Sequence, residues 1–313
     1  MLPFEKEKIE IIFKKPKSKL AKKLKARNAE ELLNFGIINA DKPADIRCTA
    51  FLNKIKKALG KDCGWAGTLD PMVTGVLPIG IGKATRILSV LSKAGKVYHG
   101  TMHLHKDVDQ KDLQKAFKKF TGVIEQLPPR VSAVKREPRK REIYQLKLIK
   151  FKDKYADFEV SCEAGTYIRK LCYDIGEYLG TGAHMTELRR IQSGPLKVKD
   201  SVSLKIIKAN YKRYLKTRQD TYIKKIILPP EKAVIHLPAV WIEDAVKEPF
   251  SHGSPVFAPG IIAFTSNLKK DLVAAIFDQQ RNLLGLGIAK TDAEKLKTAQ
   301  KGLAIKTDVV LIK

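Results

Sequence analysis

Between Gly64 and Arg86 the sequence reads GWAGTLDPMVTGVLPIGIGKATR, and its single acid is Asp70. Gly67 and Pro71 bracket a turn around that acid, Thr68 can hydrogen-bond a neighbouring backbone group, and the run from Val73 to Ile81 is apolar enough for burial. A carboxylate fixed on a rigid loop against an apolar wall is desolvated and aimed, as a catalytic acid must be. The plainer alternative is that Asp70 only closes an Asx turn. Other candidates for chemistry are weaker. His103 and His105 share a face if their segment is a strand, but no third metal ligand is visible and no metal is expected. Gly80-Ile81-Gly82-Lys83-Ala84-Thr85 holds the residues of a phosphate loop without its spacing, and the Rossmann pattern is missed as well, so no nucleotide cofactor is expected. Cys48, Cys63, Cys162 and Cys172 form no C-x-x-C pair and no zinc-ribbon spacing; they read as buried free thiols of a reducing compartment.

Elements that would position Asp70 can be read from periodicity. Apolar residues at helical spacing predict helices over Thr49 to Leu59, Leu113 to Phe120 and Ile168 to Leu179, with Gly60, Gly122 and Gly180 after their ends. Strand-like runs cover Tyr98 to His105, Ile143 to Phe151 and Tyr155 to Glu163, the last two joined by Lys152-Asp153-Lys154. Strands and helices mix without a regular βαβ rhythm, which predicts an α+β domain on a mixed sheet. Pro229-Pro230 and His236-Leu237-Pro238 mark a boundary near residue 235. Beyond it, strands are predicted at Val256 to Phe257, Ile261 to Thr265, Asp271 to Phe277 and Leu283 to Ala289, the last pair turned by Gln279 to Asn282; a small β-barrel is the expected fold. The predicted division is therefore 1–235 and 236–313, with part of the N-terminal segment free to pack on the second unit.

Charge restricts the class of partner. The chain has 313 residues, enough for about two domains, with 44% hydrophobic content and a formal net charge of +27. Such an excess points to a polyanion, with nucleic acid favoured over an acidic membrane surface. No apolar run approaches the roughly 20 residues of a membrane span, and the N-terminus lacks the apolar core of a signal peptide, so a cytoplasmic location is expected. Residues 236–313 carry 10 Lys/Arg against 8 Asp/Glu, a net of +2, which leaves +25 on residues 1–235. Three basic stretches stand out: Lys14 to Arg27, which reads as a loosely ordered arm, Arg130 to Arg141 (RVSAVKREPRKR), and Lys205 to Lys225. Pro128, Pro129 and Pro138 frame the middle stretch as a loop between strands, where Arg130, Lys135, Arg136, Arg139, Lys140 and Arg141 can close over RNA.

The segment around Asp70 resembles the pseudouridine synthase family that includes TruB and dyskerin, in which a G-x-x-G-T-L-D-P loop carries the catalytic aspartate. Asp41-Lys42-Pro43 matches the family's D-K-P, and Lys96-Val97-Tyr98 its K-x-Y. TMHLHKDV (Thr101 to Val108), GTYIR (Gly165 to Arg169) and GAHMTELRRIQSGP (Gly182 to Pro195) follow in the family's order. His252-Gly253 through Pro259-Gly260-Ile261, followed by DLVAAIFD and LLGLGIA, resembles a PUA domain, an RNA-binding module. The likeness is nearest to the archaeal and eukaryotic branch guided by box H/ACA RNA, and the lack of long lysine-rich tails favours an archaeal source.

That resemblance implies isomerisation of uridine to pseudouridine in rRNA, with tRNA as a further substrate, and needs no cofactor. Asp70, Tyr98 and Arg169 are the implied catalytic residues: the carboxylate starts the reaction, the arginine pairs with it, and the tyrosine stacks on uracil or exchanges a proton at C5. A core tyrosine and a surface arginine are the plainer alternatives. Leu188 would wall the flipped base, Trp65 would stack near the RNA, and Lys42 is grouped with the substrate contacts although its natural part is support of the fold. In the PUA-like unit, His252, Gly253, Pro259 and Gly260 are the implied RNA contacts, gripping the 3′ ACA end of a guide. Implied partners are a box H/ACA guide RNA, substrate rRNA or tRNA, and three small proteins: a kink-turn binder, a zinc-ribbon-like protein and a small β-barrel protein. Two departures bear on RNA contact. Trp65 and Ala66 stand where the family has histidine and a hydroxyl residue, and Ala44 to Thr49 replaces the usual G-x-T-S after D-K-P. A stand-alone tRNA pseudouridine synthase and a non-catalytic RNA-binding scaffold are the competing functions.

Overall fold

The apolar run after Asp70 becomes the strand Thr74–Gly82, buried through its interior because neighbours cover it on both sides. Phe35–Lys42 pairs with it antiparallel, Ile38 opposite Ile79, and Cys63–Trp65 pairs beside that. Ala183–Ser193 joins it in parallel through Thr74 opposite Arg189 and Gly75 opposite Arg190. Lys96–Leu104, Tyr155–Cys162, Arg139–Lys152 and Gly122–Gln126 then continue the sheet antiparallel, giving nine strands with the short Leu196–Lys197. This computed structural model describes residues 1–15, 19–127 and 137–312.

Helices pack where the sequence predicts them. Cys48–Leu59 buries Phe51, Leu52, Ile55 and Leu59; Gln110–Lys119 buries Leu113, Ala116 and Phe117; Ile168–Tyr178 buries Leu171, Cys172 and Ile175. The Lys152–Tyr155 hairpin turns through Asp153 and Lys154, both in the left-handed region at φ 49° and 67°, the twist that a two-residue hairpin loop needs. Leu204–Thr217, a helix the sequence shows only as a basic stretch, packs on Cys48–Leu59 with Ile207 fully buried.

The second sheet runs Ile11–Phe13, Ile261–Thr265, Ala239–Ile242, Val273–Phe277, Leu283–Ala289, Leu303–Val310 and Val256–Phe257. Phe250, Phe264, Ile276 and Ile305 form its core. Its first strand comes from the other end of the chain: Ile11–Phe13 pairs with Ile261–Thr265. The described residues of the arm expected to be loose are held there. Lys15 pairs with Glu243 at 2.5 Å, Ala21 N donates to Gln279 O at 2.9 Å, and Arg27 meets the buried carboxylate of Glu231 at 2.6 Å. Glu231 also accepts from Leu283 N at 3.0 Å, so one acid joins arm, connector and second sheet. A shared apolar seam, with Ile37, Val76 and Leu91 on one side and Ala275, Leu286 and Leu311 on the other, packs the two sheets together. Among the described residues no helix is long and apolar enough to cross a membrane.

Candidate active site

Asp70 lies on the loop between Cys63–Trp65 and Thr74–Gly82. Its carbonyl accepts from Val73 N at 3.0 Å, the turn that Asp-Pro favours. Its carboxylate accepts a hydrogen bond from Arg169, in the first turn of Ile168–Tyr178. The pairing expected from the sequence is thus present. The expected desolvation is absent: both side chains are 54% exposed. The apolar wall lies behind the loop and not over the acid, so only a bound ligand would exclude water from it.

Beneath the loop are three buried cationic side chains. Arg190 is 1% exposed; its Nε donates to Val76 O and its Nη2 to Gly67 O, both at 2.7 Å, fastening the aspartate loop to the sheet. Gly75 must lack a side chain there, because its φ is +103° and a Cβ would stand 2.2 Å from Arg190 O. Lys42, also fully buried, donates to the carbonyls of Pro43, Ile46 and Pro71 at 2.8 to 2.9 Å. All its donors are used by backbone, so the expected substrate contact is corrected: Lys42 ties the D-K-P turn to the residue after Asp70. Burial lowers its pKa. Lys96 donates to Leu91, Ser92 and Ala94 carbonyls, and burial pushes it down to about 7. Cys48 adds a further tie, exchanging 3.3 Å contacts with Leu69 N and O.

Tyr98 is 9% exposed on Lys96–Leu104, within the core cluster. Burial raises its pKa and a hydrogen bond with Arg190 opposes the rise, leaving a neutral phenol. Leu188, two residues before Arg190, is half-buried and lies over Gly100, where a Cβ would be 2.9 Å from its Cδ1. Trp65 is half-buried too; its Nε1 donates to Thr68 Oγ1 at 3.2 Å, so the threonine serves the indole and not the backbone bond expected of it. Arg190 lies inside the Gly182 to Pro195 motif, where nothing in the sequence marks its part. Its only signal in the sequence is its place as the second arginine of Glu187-Leu188-Arg189-Arg190.

The basic surfaces divide. Arg130, Lys135 and Arg136 lie outside the described residues. Arg139, Lys140 and Arg141 begin the strand Arg139–Lys152 and are not loop residues, because each pairs across to Gly122–Gln126. Lys140 is exposed, whereas Arg141 is turned toward Glu163 at 3.7 Å. At the second sheet, His252 and Gly253 are exposed at the end of Asp244–Ser251 and Pro259 is exposed nearby. Gly260 is buried under Val246, so its expected RNA contact is corrected to a packing one. A groove of about 1040 Å³, lined by Lys25, Arg27, Lys83, Lys247 and His252 among others, runs between arm and second sheet, apart from Asp70. A residue the sequence did not single out, His184, faces His103 and His105 on the first sheet.

Three family models match the chain: TruB family pseudouridylate synthase (N terminal domain) over residues 56–168, tRNA pseudouridylate synthase B C-terminal domain over 169–235, and PUA domain over 238–311. The probable tRNA pseudouridine synthase B of Nanoarchaeum equitans (strain Kin4-M) is 42% identical over 315 residues, covering 100% of this chain and 90% of that one. The protein of the same description from Methanopyrus kandleri is 39% identical, covering 91% and 85%. Among solved structures, a chain of a Cbf5-Nop10-Gar1 complex superposes with a TM-score of 0.94 at 37% identity, over 100% of this chain and 96% of that chain. A chain of an H/ACA RNP bound to a substrate RNA containing 2′-deoxyuridine gives 0.92 at 35% identity, over 100% and 97%.

Proposed function

Because the chain belongs to the TruB family of pseudouridylate synthases, we propose that it isomerises selected uridines of rRNA and tRNA to pseudouridine as the catalytic subunit of a guide-RNA complex. The observation that carries this reading is the Asp70 carboxylate, directed by Arg169 at the mouth of a solvent-open site, on a loop held from below by Arg190 and Lys42. In the reaction the C1′–N1 bond breaks, the uracil turns, C5 joins C1′, the C5 proton leaves and N1 gains one. Nothing is oxidised and no group is donated, so the side chains need only bind, orient and polarise.

A uridine swung out of its stack would cover the exposed carboxylate and supply the desolvation that the free site lacks. Asp70 then starts the reaction, at C1′, at C6 of the base or at the 2′ hydrogen. Arg169 keeps the carboxylate aimed. Tyr98 floors the site; a phenol held protonated by burial is a poor base, so ring contact and not removal of the C5 proton is its part. Leu188 supplies an apolar wall and Trp65 an aromatic edge near the RNA.

The guided reading is supported by full-length likeness to chains from H/ACA complexes. We accordingly take 1–235 as the catalytic domain and 236–313 as a PUA domain that grips the guide's end, with His252, Gly253 and Pro259 facing the RNA. Lys140, exposed at the start of Arg139–Lys152, is taken as a further RNA contact. Small proteins like the Nop10 and Gar1 of that complex are the partners, together with a kink-turn binder, in the cytoplasm. The names of the relatives favour a second reading, direct action on tRNA. Purified chain incubated with labelled rRNA and tRNA fragments, with and without guide and accessory proteins, separates them. Pseudouridine at a guide-specified site supports the first reading; product confined to tRNA, whatever guide is present, supports the second; no product overturns both.

A further inference from the structure

On the first sheet, far from Asp70, three histidines converge. His103 on Lys96–Leu104 stands directly across from His184 on Ala183–Ser193, and His105, two residues on, shares its face. One nitrogen of each ring lies within 4.8 Å of the others. Within the trio, His105 Nε2 and His184 Nδ1 are 2.9 Å apart, one ring donating to the other. His103 is backed by the Tyr155 ring, with centroids 4.6 Å apart. The backbone is shaped for this convergence: Gly182 sits at φ +66°, where a Cβ would stand 2.8 Å from His105 Nδ1, and its carbonyl accepts from His105 N at 3.1 Å. His105 and His184 are exposed and His103 is half-buried, so the site is open on one side.

We propose that His103, His105 and His184 bind one divalent borderline metal ion, zinc being the type, through three imidazole nitrogens with an open position for water. Zinc–nitrogen bonds of about 2.0 to 2.1 Å in tetrahedral array place the donor atoms about 3.3 to 3.4 Å apart. The close pair needs to open slightly and the third ring to move in by about an ångström or more, within the reach of exposed side-chain rotation. No proton need be lost. The ring that donates in the metal-free pair shifts its hydrogen to its other nitrogen and presents a lone pair. Competing soft ligands are out of reach, because all four cysteines are buried.

His103 lies five positions along the strand from Tyr98, about 17 Å at 3.3 Å per residue, so the ion does not touch the reacting uridine. Its effect is to clamp the end of Lys96–Leu104 to the start of Ala183–Ser193, the strand that carries Leu188 and Arg190.

The full chain, freed of metal by chelator and dialysis, should be titrated with cobalt(II) and then with zinc. One equivalent of cobalt should produce visible d–d bands without a sulfur charge-transfer band, and zinc should displace it stoichiometrically. His184→Ala should weaken binding by at least about tenfold, and His184→Gln, which keeps a hydrogen-bonding side chain, should weaken it similarly. Both variants should retain the wild-type circular dichroism and metal-free melting temperature. Absence of saturable uptake by the wild-type chain would overturn the proposal, as would a sulfur charge-transfer band or unchanged affinity in both His184 variants.

Discussion

Arg190→Met tests whether the buried guanidinium positions the aspartate loop. Methionine replaces the bulk of the side chain and removes the donors to Val76 O and Gly67 O. Hydrogen bonds from a charged donor are each worth about 1.5 to 3 kcal/mol, and a buried carbonyl left without a donor costs about 1 to 3 kcal/mol. Removing the charge itself relieves a desolvation penalty, which offsets part of that loss. The expected net destabilisation is about 2 to 4 kcal/mol, read as a shift in the denaturant midpoint at constant slope. Gly67 precedes Asp70 by three residues, so its release displaces the carboxylate. A displacement of about 1 Å is enough for roughly a 100-fold fall in the chemical step. Single-turnover pseudouridine formation with saturating RNA should show that fall while RNA affinity holds, because Arg190 is buried and touches no ligand surface. Arg190→Lys should recover part of the stability and less of the rate, since one ammonium cannot reach both carbonyls as the Nε and Nη2 fork does. A folded Arg190→Met protein with the wild-type single-turnover rate would refute the positioning argument.

Asp70→Asn should abolish product while preserving RNA binding in a filter or mobility assay, and should change stability by less than about 1 kcal/mol because the pair it breaks is more than half exposed. Gly75→Ala places a Cβ 2.2 Å from Arg190 O at a backbone angle that L-residues avoid, and should cost more than about 3 kcal/mol in denaturant unfolding. His236 governs part of the acid limb. Burial pushes its pKa down to about 4, against about 6.5 in the unfolded chain, so the unfolded state binds the extra proton between those values. Its contribution is complete above pH 6.5 and is lost as pH falls toward 4, by at most about 3 kcal/mol. His236→Phe, which keeps a ring beside Phe4, should flatten that stretch of the stability–pH curve.

What could be read from the sequence follows from the range of each signal. Helices Cys48–Leu59 and Ile168–Tyr178 and the hairpin at Asp153-Lys154 were legible because their periodicity and turn residues are local. Asp70 and Arg169 were legible as a pair through motif resemblance, since 99 residues separate them and no spacing rule joins them. The exposure of that pair was not legible, because an apolar run in the chain says that a wall exists and not which side of the loop it covers. The full burial of Lys42 was not legible either, although a supporting part was: lysine is seldom fully buried, and only the fold shows three carbonyls arranged around its ammonium. The arm was misjudged because its ordering partners, Glu231, Glu243 and the strand Ile261–Thr265, are more than 200 residues away.

The same limit explains both Arg190 and His184. Each lies on Ala183–Ser193, whose mixed exposure gives a poor strand signal, yet this strand stands between Thr74–Gly82 and Lys96–Leu104 and so borders the loop-bearing strand on one side and the Tyr98 strand on the other. Its two ends therefore do different work. One end sends Arg190 beneath the aspartate loop; the other brings His184 to His103 and His105. A β-bulge between Thr101 and Met102 shifts the register between those two ends, so that Arg190 stands opposite Tyr98 on the core face and His184 opposite His103 on the other. Register on the two sides of that bulge thus sets the support of Asp70 and the imidazole cluster separately, although both lie on one strand.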